Sequence, residues 1–162
     1  MPASLSERVT TSSAHSATVV NGPVLLYDGE CSVCRRFVAM IVNADERGAM
    51  RIAPLQCPLG DAIRRSQPEF AAKDSALWIG LDGEILSHSD AILASLEYLG
   101  GPWTALTVAM RIVPHPLRDA AYRAFAQNRN LFGKLGLSSL DSKTLERMLK
   151  EPEIDALTKS AS

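Results

Sequence analysis

The stretch VLLYDGECSVCRRF, from Val24 to Phe37, constrains the fold more than any other part of the chain. Its apolar run Val24-Leu25-Leu26-Tyr27 reads as a compact buried strand that stops at Asp28-Gly29. Behind that turn, Phe37, Val38, Ile41 and Val42 recur near helical spacing, and Arg47-Gly48 supplies a stop signal. Two cysteines, Cys31 and Cys34, sit where the strand becomes the helix.

The rest of the chain extends this alternation. Val19-Val20 reads as β-rich, separated from the next run by the turn signal Asn21-Gly22-Pro23. A second strand covers Met50 to Ala53 and closes at Pro54. Residues 55–72 read as loop plus helix, with Leu59, Ile63 and Phe70 as apolar marks. ALWIGLDGEILSH is a hairpin, with Ala76–Leu81 and Glu84–Ser87 joined by Asp82-Gly83. Ser89 or Asp90 then caps a helix whose apolar face is Ile92, Leu93, Leu96 and Leu99. Gly100-Gly101-Pro102 ends it. The order β-α-β-α-β-β-α predicts an α/β domain of thioredoxin-like design, with a partly parallel sheet and an antiparallel edge.

Four regions follow: a disordered tail over 1–18, a core over 19–101, a helical extension over 102–137, and a short helix with a polar tail over 138–162. In the extension, Trp103–Val113 and Leu117–Phe132 read as helices broken by Pro114-His115-Pro116. Met110, Ile112, Val113, Leu117, Phe125 and Leu131 need cover, and the core of the same chain is where we expect them to find it. The short helix is expected over 141–150.

Composition narrows the function classes. The 162 residues are 46% apolar and 22% charged, with a formal net charge of −1, so no basic footprint argues for nucleic acid. Three cysteines are too few and too odd for a disulfide-stapled secreted scaffold, which favours a reducing, cytoplasmic compartment. No apolar run is long enough to span a membrane.

The cysteine spacing has a chemical reading. A cysteine at a helix N-terminus faces unsatisfied N–H groups and the positive end of the helix dipole, which stabilise a thiolate. A second cysteine one turn inward is placed to attack a mixed disulfide on the first. Cys31 therefore reads as an exposed attacking thiol and Cys34 as a sheltered resolving thiol. The rival is a metal or iron–sulfur site on the same pair, completed by Cys57, a histidine or a second chain. A structural zinc site needs about four ligands, and no second CxxC or HxxxH is present. A further alternative is an interaction module that keeps the motif without turnover.

Asp28 is either a proton relay for Cys34 or a turn residue bonded to the local backbone. Cys57 follows the second strand. If the two strands are parallel, its loop shares a sheet edge with the CxxC turn, which makes it a candidate third thiol. Ser89 and Asp90, at the start of the last core helix, are candidates for holding the carboxylate of a thiol peptide. Tyr122 and Arg129 lie seven apart on one helix face, and are expected to share a substrate site near the cysteine edge.

The octet YDGECSVC resembles the DCC family of thiol-disulfide oxidoreductases, named for an Asp and two Cys in a DxxCxxC pattern that Asp28, Cys31 and Cys34 match. The hairpin, SDAILASLEYL and AYRAFAQNRNLFGK also fit the family, so the resemblance covers about residues 22 to 134. It implies a thioredoxin-like fold, a redox role for the pair, a protein or small-thiol disulfide as partner, and no cofactor. Thioredoxins and glutaredoxins place a cis-proline before the third core strand, opposite the cysteines. Here that stretch is AAKDSALWI, without proline, so substrate binding is expected to differ.

Overall fold

The computed structural model describes residues 20–70, 75–133 and 140–161, with the side chains of 125–126 and 129–133 outside that description. Strand β1, Val24–Tyr27, is buried at all four positions, as a short apolar run covered on both faces should be. It pairs in parallel with β2, Arg51–Pro54, and antiparallel with β3, Leu77–Ile79. β3 pairs antiparallel with β4, Ile85–Ser87, giving the order β2-β1-β3-β4. Helix α1, Ser32–Ala44, crosses from β1 to β2, and α2, Pro58–Ser66, with a 3-10 turn at Pro68–Phe70 leads towards β3. Helices α3, His88–Leu99, α4, Pro102–Arg111, α5, His115–Gly133, α6, Ser142–Glu146, and α7, Glu151–Ala161, complete the described chain. This is the mixed α/β architecture expected from the sequence, a thioredoxin-like sheet with added C-terminal helices.

Alternation along β1 builds two cores. Leu25 and Tyr27 face Val38, Ile41 and Val42 of α1, with Trp78 and Leu96. Val24 and Leu26 face the other way, onto Leu55, Leu59 and Ile63 beside α2. Gly60 lets α2 press on the end of β2, since a Cβ there would lie 2.2 Å from the Leu55 carbonyl oxygen. Between α3 and α4, Gly100 and Gly101 both adopt positive φ, 72° and 56°, a sharp reversal that glycine makes without strain.

Several boundaries differ from the sequence reading. The hairpin strands are shorter, because Gly80 N–H already donates to the Glu84 carbonyl and closes a five-residue loop. Val20 is not in a strand, and Val19, with the 1–18 tail, lies outside the described residues. Helix α3 starts at His88 with Ser87 as its N-cap, so neither Ser89 nor Asp90 caps it. The helix expected over 141–150 is only Ser142–Glu146. What read as a polar tail is α7, whose Ile154, Leu157 and Ala161 share one face and pack on the α2 side of the sheet.

The extension packs back on α3 through both α4 and α5, and on α1 through α5. Met110 is half-buried against the core, but Ile112 is 81% exposed and Leu117 61% exposed, with Val113 also exposed. The cover expected for those three is not supplied by the described chain, because they sit on the α4–α5 corner. Phe125 and Leu131 lie outside the described side chains. Among the described residues no helix is long and apolar enough to cross a membrane.

Past α6 the chain reaches the sheet again. Ile52 N–H donates to the Arg147 carbonyl at 3.0 Å, and Leu149 N–H donates to the Ile52 carbonyl at 2.8 Å. This parallel bridge closes the outer edge of β2.

Candidate active site

Cys31 is the N-cap of α1. Its backbone is extended, with φ −85° and ψ 115°, and its Sγ accepts the Cys34 N–H at 3.3 Å. One orphan donor of the helix start is thereby turned onto the sulfur. The turn before it is tied twice. Cys31 N–H donates to the Asp28 carbonyl at 3.2 Å, and Asp28 Oδ1 accepts from Glu30 N–H at 3.0 Å. The second of these is the Asx-type bond that an Asp-Gly turn favours.

Gln56 joins this turn from the next loop. Its Nε2 donates to Asp28 Oδ1 at 3.0 Å, and its Oε1 accepts from Gly29 N–H at 3.3 Å. The sequence reading missed Gln56. Parallel pairing of β1 with β2 was the available signal, since it brings the two following loops side by side, with Leu55 N–H on the Tyr27 carbonyl at 2.8 Å.

Accessibility of the pair differs from expectation. Cys31 is only 6% exposed, whereas Cys34 is half-buried. The cap bond folds the Cys31 sulfur back over the helix, while Cys34, one turn on, borders a cavity of about 240 Å³. Leu25, Tyr27, Phe37 and Ile92 form much of its wall, with Asp28 and Tyr122 at polar positions. Burial raises the Tyr27 hydroxyl above its ordinary pKa, opposed by the Arg35 charge. No disulfide joins the three cysteines. A larger cavity, about 720 Å³, opens between the hairpin, α3 and the α4–α5 corner, but no cysteine borders it.

Tyr122 reaches this site from α5. Its hydroxyl accepts Ala76 N–H at 3.0 Å, just before β3, where the resemblance leads one to look for a cis-proline. No peptide bond among the described residues is cis. His88 lies edge-on to the Tyr122 ring, with centroids 5.6 Å apart, and holds a positive φ of 54°. Its N–H donates to Ser75 Oγ at 2.9 Å. The Arg129 side chain lies outside the described residues, so the shared site expected with Tyr122 is represented here by Tyr122 alone.

Ser89 and Asp90 face α5. Ser89 Oγ donates to Asp119 Oδ1 and accepts from Arg118 Nε at 3.0 Å. Asp90 pairs with Arg118 and, at 3.0 Å, with His115. Burial alone would raise the Asp119 carboxyl, but the Ser89 bond and the nearby His115 outweigh it and hold it below its ordinary value. Arg118 and Asp119 are the docking points of α5 on α3. Cys57 occupies the N-cap position of α2 without a side-chain cap bond, on the far side of the sheet, packed with Leu26, Ala53 and Leu59. The parallel strands place its loop beside the CxxC turn, as expected, yet the contact runs through Gln56. Among the described residues no group of three or more His, Cys, Asp or Glu is placed to hold a metal ion.

The sequence profile described as DCC1-like thiol-disulfide oxidoreductase matches residues 25–135. The chain belongs to the DCC1-like family. It is 33% identical over 126 residues to the uncharacterized protein YuxK of Bacillus subtilis (strain 168), covering 76% of this chain and 90% of that protein. It is 25% identical over 113 residues to the DCC family protein At1g52590, chloroplastic, of Arabidopsis thaliana, covering 69% of this chain and 66% of that one. No solved structure matches the chain. The DCC1-like match spans the CxxC turn, the sheet, the hairpin and α5, so it includes Tyr122 as well as the cysteine pair.

Proposed function

We propose that the chain catalyses thiol–disulfide exchange, with Cys31 as nucleophile, Cys34 as resolving thiol and Asp28 fixing the turn that presents them. The observation that carries this reading is the Cys31 Sγ at the N-cap of α1, accepting the Cys34 N–H. The unsatisfied N–H groups at a helix start favour an anion bound there. Membership of the DCC1-like family supports it. In the forward step the Cys31 thiolate attacks a substrate disulfide and displaces one thiolate, which takes a proton from solvent. The Cys34 thiolate then attacks the Cys31 sulfur and releases the second half. The substrate gains two electrons and the pair is left as a disulfide. The partner is a protein or small-molecule disulfide, and the working compartment is a reducing one such as the cytoplasm.

Single-residue variants test the roles. Cys34→Ser should accumulate a mixed disulfide on Cys31, seen by peptide mass spectrometry, while Cys31→Ser should lose exchange by orders of magnitude. An adduct on Cys57, or a Cys31→Ser protein that keeps its rate, would overturn the assignment.

A further inference from the structure

The cavity beside Cys34 bears on the substrate. We infer that it is an apolar subsite for the body of a compact, uncharged disulfide, aromatic or short aliphatic, whose sulfur is turned towards the cysteine pair. This inference rests on the exchange reading and deepens it.

Size comes first. The cavity holds about 240 Å³, and a void of about 150 Å³ lined by aliphatic and aromatic groups accepts benzene. One substituted ring or a short branched chain fits, and a folded peptide does not.

Charge comes second. The described lining of the cavity is almost wholly apolar and carries one carboxyl, Asp28, so it suits an apolar body better than the carboxylates of an anionic thiol peptide. The start of α3, the other place for an anion, is taken by Asp90 and its partners Arg118 and His115.

Backbone access comes third. β3 lies between β1 and β4, so an extended peptide would find main-chain groups there only at the residue before the strand. At Ala76 the N–H is bonded to the Tyr122 hydroxyl and the carbonyl accepts Ser75 Oγ at 3.3 Å. The added helix α5 thus takes up the main-chain donor before β3 with its own tyrosine, and leaves the small cavity beside it. With R the group held in the cavity, Cys31 forms the mixed disulfide with R–S as the first thiolate leaves. Cys34 then closes the Cys31–Cys34 disulfide as R–S⁻ leaves and is protonated.

The test compares neutral, aromatic dipyridyl disulfide with oxidised glutathione in single turnovers of the reduced full chain. Ile92→Trp fills the cavity and Ile92→Ala enlarges it. The rate ratio of the dipyridyl to the glutathione disulfide should fall about tenfold or more in Ile92→Trp and should not fall in Ile92→Ala. Thermal melts check that both variants fold. A second arm titrates indole, a ring without sulfur, into the Cys31→Ser/Cys34→Ser protein. Saturable chemical shifts at Ala76, Ile92 and Tyr122 are expected, and their absence at millimolar indole overturns the subsite. Exchange that continues with the same ratio in native and variant proteins also overturns it. Loss of exchange towards both disulfides in the native protein is a distinct result, which overturns the exchange reading and the substrate with it.

Discussion

Gln56 carries no acid–base or nucleophilic chemistry, yet it binds both Asp28 and Gly29 and so couples the CxxC turn to the loop after β2. Its partner Asp28 is 5% exposed, and its Oδ1 receives two donors. An asparagine carbonyl can accept the same two bonds. We expect Asp28→Asn to melt close to the native protein and to keep most of its exchange rate. Asp28→Ala strands buried donors and should lose about 1–3 kcal/mol of stability, with slower exchange. Urea unfolding and exchange rates against pH check both. A large rate loss in Asp28→Asn at native stability would restore the proton-relay role. At this scale, residues whose chemistry is local were legible: the cysteine spacing and the Asp-Gly turn both follow from neighbours in sequence. The Gln56 bonds and the His88–Ser75 bond were not, because they join positions 13 or more apart, and His88 reaches its place through a left-handed backbone that no residue pattern announces.

Elements were legible where periodicity was strong, and obscured where an amphipathic face was thin. The sheet, α1 and α3 follow from apolar spacing. α7 did not, since Ile154, Leu157 and Ala161 are set among charged and small residues and only half-buried. Its contribution is packing against α2. Leu157→Asp should therefore lower stability by about 1–3 kcal/mol without touching the cysteines, and the exchange rate of the folded fraction should stay native. Urea unfolding with parallel rate measurement checks this, and an unchanged unfolding midpoint would mean that α7 adds nothing to the fold. α5 is a different case. Arg118 holds a polar dock with Ser89 and Asp90, which no apolar spacing announces, and Tyr122 continues that dock to the residue before β3.

Charge acts on the whole molecule through a few tied carboxylates. Asp141 caps α6, accepts Asn43 Nδ2 and Thr144 N–H at 2.9 Å each, and is held down to about 2 from the ordinary 3.8, chiefly by the Asn43 bond. A depressed folded value gives stability that is present above the ordinary value and is lost as pH falls through the folded one. The difference in melting temperature between native and Asp141→Asn proteins should therefore persist near neutral pH and shrink as pH falls from about 4 to about 2. A constant difference across that range would show that the charge is not what Asp141 contributes. The parallel bridge at Ile52 reaches further still. The outer edge of β2 is closed by Arg147 and Leu149, nearly a hundred positions later in sequence. A nascent chain whose strands and cysteines have already emerged still presents a bare strand flank to its neighbours, until the residues after α6 leave the ribosome. Translation therefore times the sealing of the sheet, and a pause before residue 147 exposes the same flank that aggregation templates seek.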